Sequence, residues 1–215
     1  MQRIIIIGGM GPQASLELHR RIIEHAVRHG AINGPDFPHI VHLSLPIDDF
    51  ISNQAKAADA LEQIVTALMQ LSPTVDDHVV IACNTAHILR DKIEQRTGAT
   101  VISLIATTVH TVINAKIQTV QLIASPTTLQ TRLYERALEE GGVIVKKPTN
   151  STLRLIERSI RAVIRGATPE IVRSHFAHDV PVLLGCTELS VALSGAENTI
   201  DPLDIIVDTL MQPTT

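Results

Sequence analysis

Cys83 and Cys186 are the two cysteines of the chain, and they are set in matching surroundings. Residues 79–87 read VVIACNTAH and residues 180–188 read VPVLLGCTE. In each, an apolar run of strand character gives way to a helix start, and a threonine follows the cysteine within two positions. Backbone amides and the positive end of a helix at such a place favour the thiolate. Asn84, Thr85 and Thr187 add an amide, hydroxyls and backbone N–H groups, which together suit a carboxylate. The alternative for a lone cysteine is a small buried hydrophobe. Two cysteines placed alike point instead to a functional pair.

A redox pair would more often appear as C-x-x-C, and cysteine–histidine nucleophilic catalysis needs one thiol rather than two. Two thiols from two similar halves fit a two-base proton transfer. One thiolate removes a proton from a carbon, and the opposite thiol delivers one to the other face. With each sulfur roughly 3.5 Å from that carbon, the sulfurs stand about 7 Å apart. That is too far for a relaxed disulfide without movement. The developing carbanion needs its carboxylate held by fixed donors. The chemistry is racemisation or epimerisation without a cofactor.

The elements that must position these thiols alternate along the chain. Strands are predicted at Ile4–Ile7, His39–Leu45, Asp77–Ala82, Ala99–Ile102, Thr119–Ala124, Val143–Val145 and Val180–Leu184. Helices are predicted from Pro12 to about His29, over Gln54–Leu71, after Cys83 to Arg96, and to about Ala115. Further helices follow from the Ser125-Pro126-Thr127-Thr128 turn to Glu140, over Ser151–Arg165 and Pro169–His178, and over Asp201–Met211. Alternation of this kind predicts an α/β fold with parallel sheets. A weak internal repeat supports two halves: Ile4–Pro12 is echoed by Val120–Thr128, and the Cys83 segment by the Cys186 segment. Strand ends of both halves would then face a shared cleft, where such sheets bind ligands. The expected division is 1–98 plus 201–215 for the half with Cys83, and 99–200 for the half with Cys186.

Composition narrows the partners. Aromatics make up only 2% of the chain and Trp is absent, so aliphatic side chains must fill the core and no stacking platform for bases exists. A net charge of −4 gives no reason to expect nucleic acid or an anionic membrane surface. The opening MQRIIIIGGM is too short for a signal peptide, and no apolar stretch reaches the length of a membrane span. A cytoplasmic protein with free thiols is expected.

GGMGP near the start, ACNTAH around Cys83, GCTEL around Cys186 and the closing IDPLD resemble the aspartate/glutamate racemase family, in its aspartate racemase branch. The resemblance runs over essentially the whole chain. It implies two Rossmann-like α/β domains related by pseudo-two-fold symmetry, with the active site in the interdomain cleft. It also implies no pyridoxal phosphate, a small acidic amino acid as substrate, and commonly a homodimer; no other cofactor is expected, and the cysteine count and histidine spacing give no reason to expect a metal. The catalytic pair maps onto Cys83 and Cys186. Carboxylate-binding positions map onto Asn84, Thr85 and Thr187, with Ser125, Thr127 and Thr128 on the paired loop, and Met10 lines the first loop. The glutamate racemase branch typically opens on Asp-Ser-Gly, where this chain has Gly9-Met10-Gly11. After the second strand, aspartate racemases often carry Pro-Asp-Arg, whose Arg grips the side-chain carboxylate. Here the stretch is Asp48-Asp49-Phe50, with Phe50 in place of Arg. A second basic position maps onto Arg154, whose alternative is a solvated helix residue. The resemblance thus implies racemisation of aspartate or glutamate. A related isomerase or decarboxylase of a small dicarboxylic acid, or a silent binding homologue, are the competing readings.

Other motifs lead elsewhere. Gly9-Met10-Gly11-Pro12-Gln13-Ala14 formally satisfies G-x-G-x-x-A. No acidic residue closes the next strand, however, and Pro12 removes an amide from any phosphate cradle, so NAD is not expected. His25 with His29, and His39 with His42, lack an H-E-x-x-H frame and read as surface residues. His87 either supports the site from behind or is an ordinary helix residue. Glu188 either supports the site or is a favourable charge at a helix N-terminus.

Overall fold

The computed structural model describes residues 3–48, 56–169, 176 and 179–212. They form two four-stranded, all-parallel sheets. The first contains β1 (Arg3–Gly8), β2 (His39–Ser44), β3 (His78–Ile81) and β4 (Val101–Ile102), in the order β2-β1-β3-β4. The second contains β5 (Thr119–Ala124), β6 (Ile144–Lys146), β7 (Val182–Gly185) and β8 (Thr199–Ile200), in the order β6-β5-β7-β8. The two orders are the same, so the repeat read from the sequence is a repeat of topology.

The helices are α1 (Pro12–Arg28), α2 (Ala57–Leu71), α3 (Arg90–Thr97), α4 (Leu104–Asn114), α5 (Pro126–Thr131), α6 (Glu135–Glu140), α7 (Asn150–Ile164), α8 (Thr187–Ala192) and α9 (Pro202–Leu210). They cover both faces of the sheets, which is why β1 is an unbroken apolar run rather than an alternating one. Ile5 and Ile7 pack with Ile64, Leu68 and Ile93 of α2 and α3. Ile4 and Ile6 pack on the other face with Leu18 and Ile22 of α1 and Leu203 and Ile206 of α9.

The halves interlock. The last helix, α9, follows a strand of the second sheet but fills the first core. Val101 and Ile102 pair with Val79 and Val80, inside the first sheet. Leu104, at the start of α4, belongs to the first core, whereas Ile105, Val109 and Val112 belong to the second.

Several expectations are corrected. The helix expected to run from the Ser125 turn to Glu140 is two helices, because Arg132 sits at φ 53° and turns the chain between α5 and α6. The segment after Cys83 opens as a 3-10 turn over Thr85–Leu89 and becomes α-helical only at Arg90. Two-residue β8 carried no signal in the sequence. The helix expected over Pro169–His178 falls largely outside the described residues.

At the β1–α1 turn, Gly9 has φ 99°, and a Cβ there would lie 1.9 Å from the carbonyl oxygen of Leu45. Only glycine lets the first loop, with Met10 and Gly11, lie this close to the chain leaving β2.

Candidate active site

Cys83 follows the carboxyl end of β3, and Cys186 follows β7 as the N-cap of α8. Both are buried, and neither is in a disulfide. One bond sets the two strand ends against each other: Thr187 Oγ1 donates to the carbonyl of Ala82 at 3.2 Å. The donor is the residue after Cys186 and the acceptor the residue before Cys83. The charge of Cys83 is also felt at Cys186.

Beside the thiols, Thr85, Ser125 and Thr128 form a closed set of hydroxyls, with separations of 2.9, 3.0 and 2.9 Å. Thr85 comes from the first half. Ser125 and Thr128 come from the start of α5, where Ser125 is the N-cap. Thr127 is buried alongside.

Asn84 is buried, and its Oδ1 accepts from the Tyr134 hydroxyl at 2.5 Å. Its Nδ2 has no hydrogen-bond partner among the described residues. A buried amide donor left open beside two thiols is a ready contact for an oxygen-bearing ligand. Met10 is buried in the first loop, and the Gly11 amide donates to Glu188 Oε1 at 3.0 Å. The other oxygen of that carboxylate, Oε2, accepts from Cys186 Sγ at 3.0 Å.

Two supports hold the strand ends. His87 Nδ1–H donates to the Cys83 carbonyl at 2.9 Å, and Nε2 accepts from the Leu104 amide at 3.1 Å. Both ring nitrogens are thus assigned, the ring is neutral, and burial pushes its pKa down to about 4. Behind α8, buried Arg21 donates to the Ser190 carbonyl, to Asp201 Oδ2 at 2.7 Å and to Glu17 Oε1 at 2.7 Å. Burial works against the guanidinium's charge, and Asp201, Glu17 and Asp204 more than offset it. Asp201 in turn accepts from Ser190 Oγ at 2.5 Å and caps α9 through the Leu203 amide. The IDPLD segment therefore anchors the helix that carries Cys186.

The electrostatics of Cys186 reverse the expectation of a favoured thiolate. Burial pushes its thiol well up, and the charge of Glu188 and that of Cys83 add to it. Six-residue α8 offers too little dipole to outweigh them. Burial likewise pushes the Tyr134 phenol up, so it remains a donor.

The structure brings Met10, Asn84, Thr85, Ser125, Thr127, Thr128 and Thr187 to the ends of the strands with the two cysteines. Arg154 is exposed near the start of α7. It is the other end of α7 that meets the first loop, where Gln13 Nε2 donates to the Ile164 carbonyl at 2.8 Å. Ten residues of helix, about 15 Å, separate Arg154 from Ile164. Asp49 and Phe50 lie outside the described residues, and Asp48 is exposed and paired with Lys56. Of the histidines expected at the surface, His25 stacks on His29, and half-buried His42 packs edge-on against His19. Tyr134 was not anticipated. Its one signal is that it is the only tyrosine in a chain without tryptophan.

A family model described as Asp/Glu/Hydantoin racemase matches residues 7–210. The chain belongs to that family. It is 21% identical over 207 residues to the broad specificity amino-acid racemase RacX of Bacillus subtilis (strain 168), covering 93% of this chain and 91% of that one. Its structure is similar to Picrophilus torridus aspartate racemase, with a TM-score of 0.78, 21% identity, and coverage of 98% of this chain and 93% of that one. It is also similar to Francisella tularensis glutamate racemase solved with D-glutamate, with a TM-score of 0.63, 17% identity, and coverage of 97% and 79%. The two-sheet α/β architecture is thus that of the Asp/Glu racemases. Among the described residues, no helix is long and apolar enough to cross a membrane.

Proposed function

We propose that this member of the Asp/Glu/Hydantoin racemase family racemises a small acidic amino acid, aspartate or glutamate, by proton transfer between Cys83 and Cys186. The observation that supports the reading is the Thr187–Ala82 bond, which joins the strand ends bearing two buried thiols, neither of them in a disulfide. Cys83 as thiolate takes the Cα proton from one face. Cys186 as thiol gives its own proton to the other face, and the reverse reaction exchanges the roles. Asn84 Nδ2 and the hydroxyls of Thr85, Ser125 and Thr128 offer hydrogen bonds to the substrate carboxylate as charge spreads onto it. Met10, Thr127 and Thr187 complete the lining. This proton traffic is carried by side chains and needs no added cofactor.

The test is proton NMR in deuterium oxide under reducing conditions, with L- and D-aspartate and L- and D-glutamate. The expected result is loss of the Cα proton signal with wild type, and its collapse in Cys83→Ser and in Cys186→Ser. Exchange that survives both substitutions would overturn the two-thiol reading. No exchange with any of the four substrates would overturn the assignment to acidic amino acids.

A further inference from the structure

We propose that Glu188 is a positioning residue that keeps Cys186 protonated between turnovers and so makes it the acid of the resting pair. The inference rests on the two-thiol reading and assigns the two thiols unequal roles within it. Glu188 is 1% exposed and spans two parts of the site. One oxygen is held by the Gly11 amide of the first loop, and the other receives the Cys186 thiol, both at 3.0 Å. A carboxylate fixed this way accepts a hydrogen bond from S–H and repels S⁻.

The remaining surroundings do not cancel it. α7 presents Ile156, Ile160 and Ile164 to the Cys186 cluster. From α1, Arg21 reaches the Ser190 carbonyl and is already engaged by Glu17, Asp201 and Asp204. The Cys83 thiol and the Tyr134 phenol both interact with Cys186 through charge. Cys186 itself receives a backbone hydrogen bond from Glu188, which works in the opposite sense but is a smaller influence than the carboxylate.

In the resting pair, Cys83 holds the negative charge and Cys186 the proton. A forward step breaks the substrate C–H bond and forms S–H on Cys83. On the other face it breaks S–H on Cys186 and forms the new C–H bond. The enzyme is left with a Cys186 thiolate beside the Glu188 carboxylate. The repulsion is relieved when Cys186 takes a proton from water and Cys83 releases one, which restores the resting state.

The test reads the thiol directly. In Cys83→Ser protein, Cys186 is the single cysteine, and its thiolate is followed by ultraviolet absorbance against pH. The absence of Trp and the single buried Tyr keep that signal clean. Adding Glu188→Gln is expected to move the midpoint down by about one pH unit or more. With both cysteines present, Glu188→Gln is expected to move the alkaline limb of kcat/KM down by the same amount. The shift is the same for both enantiomers, because the equilibrium constant of a racemisation ties the two values together. Glu188→Met, similar in length and uncharged, replaces Glu188→Gln if the amide variant fails to fold. An unchanged midpoint in a variant with wild-type circular dichroism would overturn the proposal and leave Glu188 as a brace for the Gly11 loop. Absence of turnover in wild type would sink the racemase reading instead, and the titration would still report on Glu188.

Discussion

The strand end at Cys83 and the strand end at Cys186 occupy equivalent places in two sheets of the same strand order, yet they are built differently. Two residues after Cys83 stands Thr85, whose hydroxyl joins Ser125 and Thr128. Two residues after Cys186 stands Glu188, whose carboxylate takes the thiol itself. A neutral imidazole, His87, holds the first strand end, and a buried ion network around Arg21 anchors the helix beyond the second. A duplicated topology thus gives the two cysteines equivalent places, while their neighbours differ, and at Cys186 burial and the Glu188 carboxylate push the thiol up. Under the proposed two-thiol mechanism, that asymmetry suits a pair resting with one proton between them.

The comparison can be broken most severely at the sulfurs. Cys83→Ser and Cys186→Ser are each expected to lower Cα exchange by about 10²–10⁴-fold, the usual worth of a positioned acid or base. Deuterium exchange followed by NMR checks it, and a loss confined to one variant would break the pairing.

Removing the anchor of the second half comes next. Arg21→Met leaves Asp201 and Glu17 without their buried cation, and a loss of about 3–5 kcal/mol is expected in urea unfolding. An exposed pair, Arg96–Glu62, is the control, and breaking it is expected to leave the unfolding midpoint nearly unchanged.

The staple of the first half predicts a pH dependence. Burial holds the His87 ring's pKa at about 4, below its ordinary 6.5. Between these values the unfolded chain binds a proton that the folded chain refuses. The stability contributed by the neutral ring is therefore complete above pH 6.5 and is lost as pH falls toward 4, by about 3 kcal/mol in all. Unfolding free energies across that window should flatten in His87→Leu. That variant should also be weaker at neutral pH by about 1–3 kcal/mol, because the Cys83 carbonyl and the Leu104 amide lose their partner.

The smallest expected effect is that of Tyr134→Phe, about 1 kcal/mol for each neutral hydrogen bond lost, to Asn84 and with Thr108. With Asn84 Oδ1 released, the amide is free to turn, and KM should rise more than kcat falls. Steady-state kinetics separates the two.

Much of this architecture was legible in the order of residues. Unbroken aliphatic runs at Ile4–Ile7 and Thr119–Ala124 mark strands covered on both faces. Pro12 and Gly30 bracket α1, and the echo between the Cys83 and Cys186 segments announces two matching halves. These features are local, since period, punctuation and motif lie within a few residues of one another. What only the tertiary structure decided are contacts between residues far apart in sequence: Tyr134 on Asn84, Thr187 on Ala82 and Glu188 on Gly11, separated by 50, 105 and 177 residues. The turn at Arg132 that delivers Tyr134 belongs with them, because an arginine in left-handed backbone leaves no signature in the sequence. The direction of the Cys186 shift was decided there too. A cysteine before a short helix reads as a thiolate when only the dipole is visible. Burial and a carboxylate at 3.0 Å outweigh that dipole, and both arise from packing rather than from sequence neighbours alone.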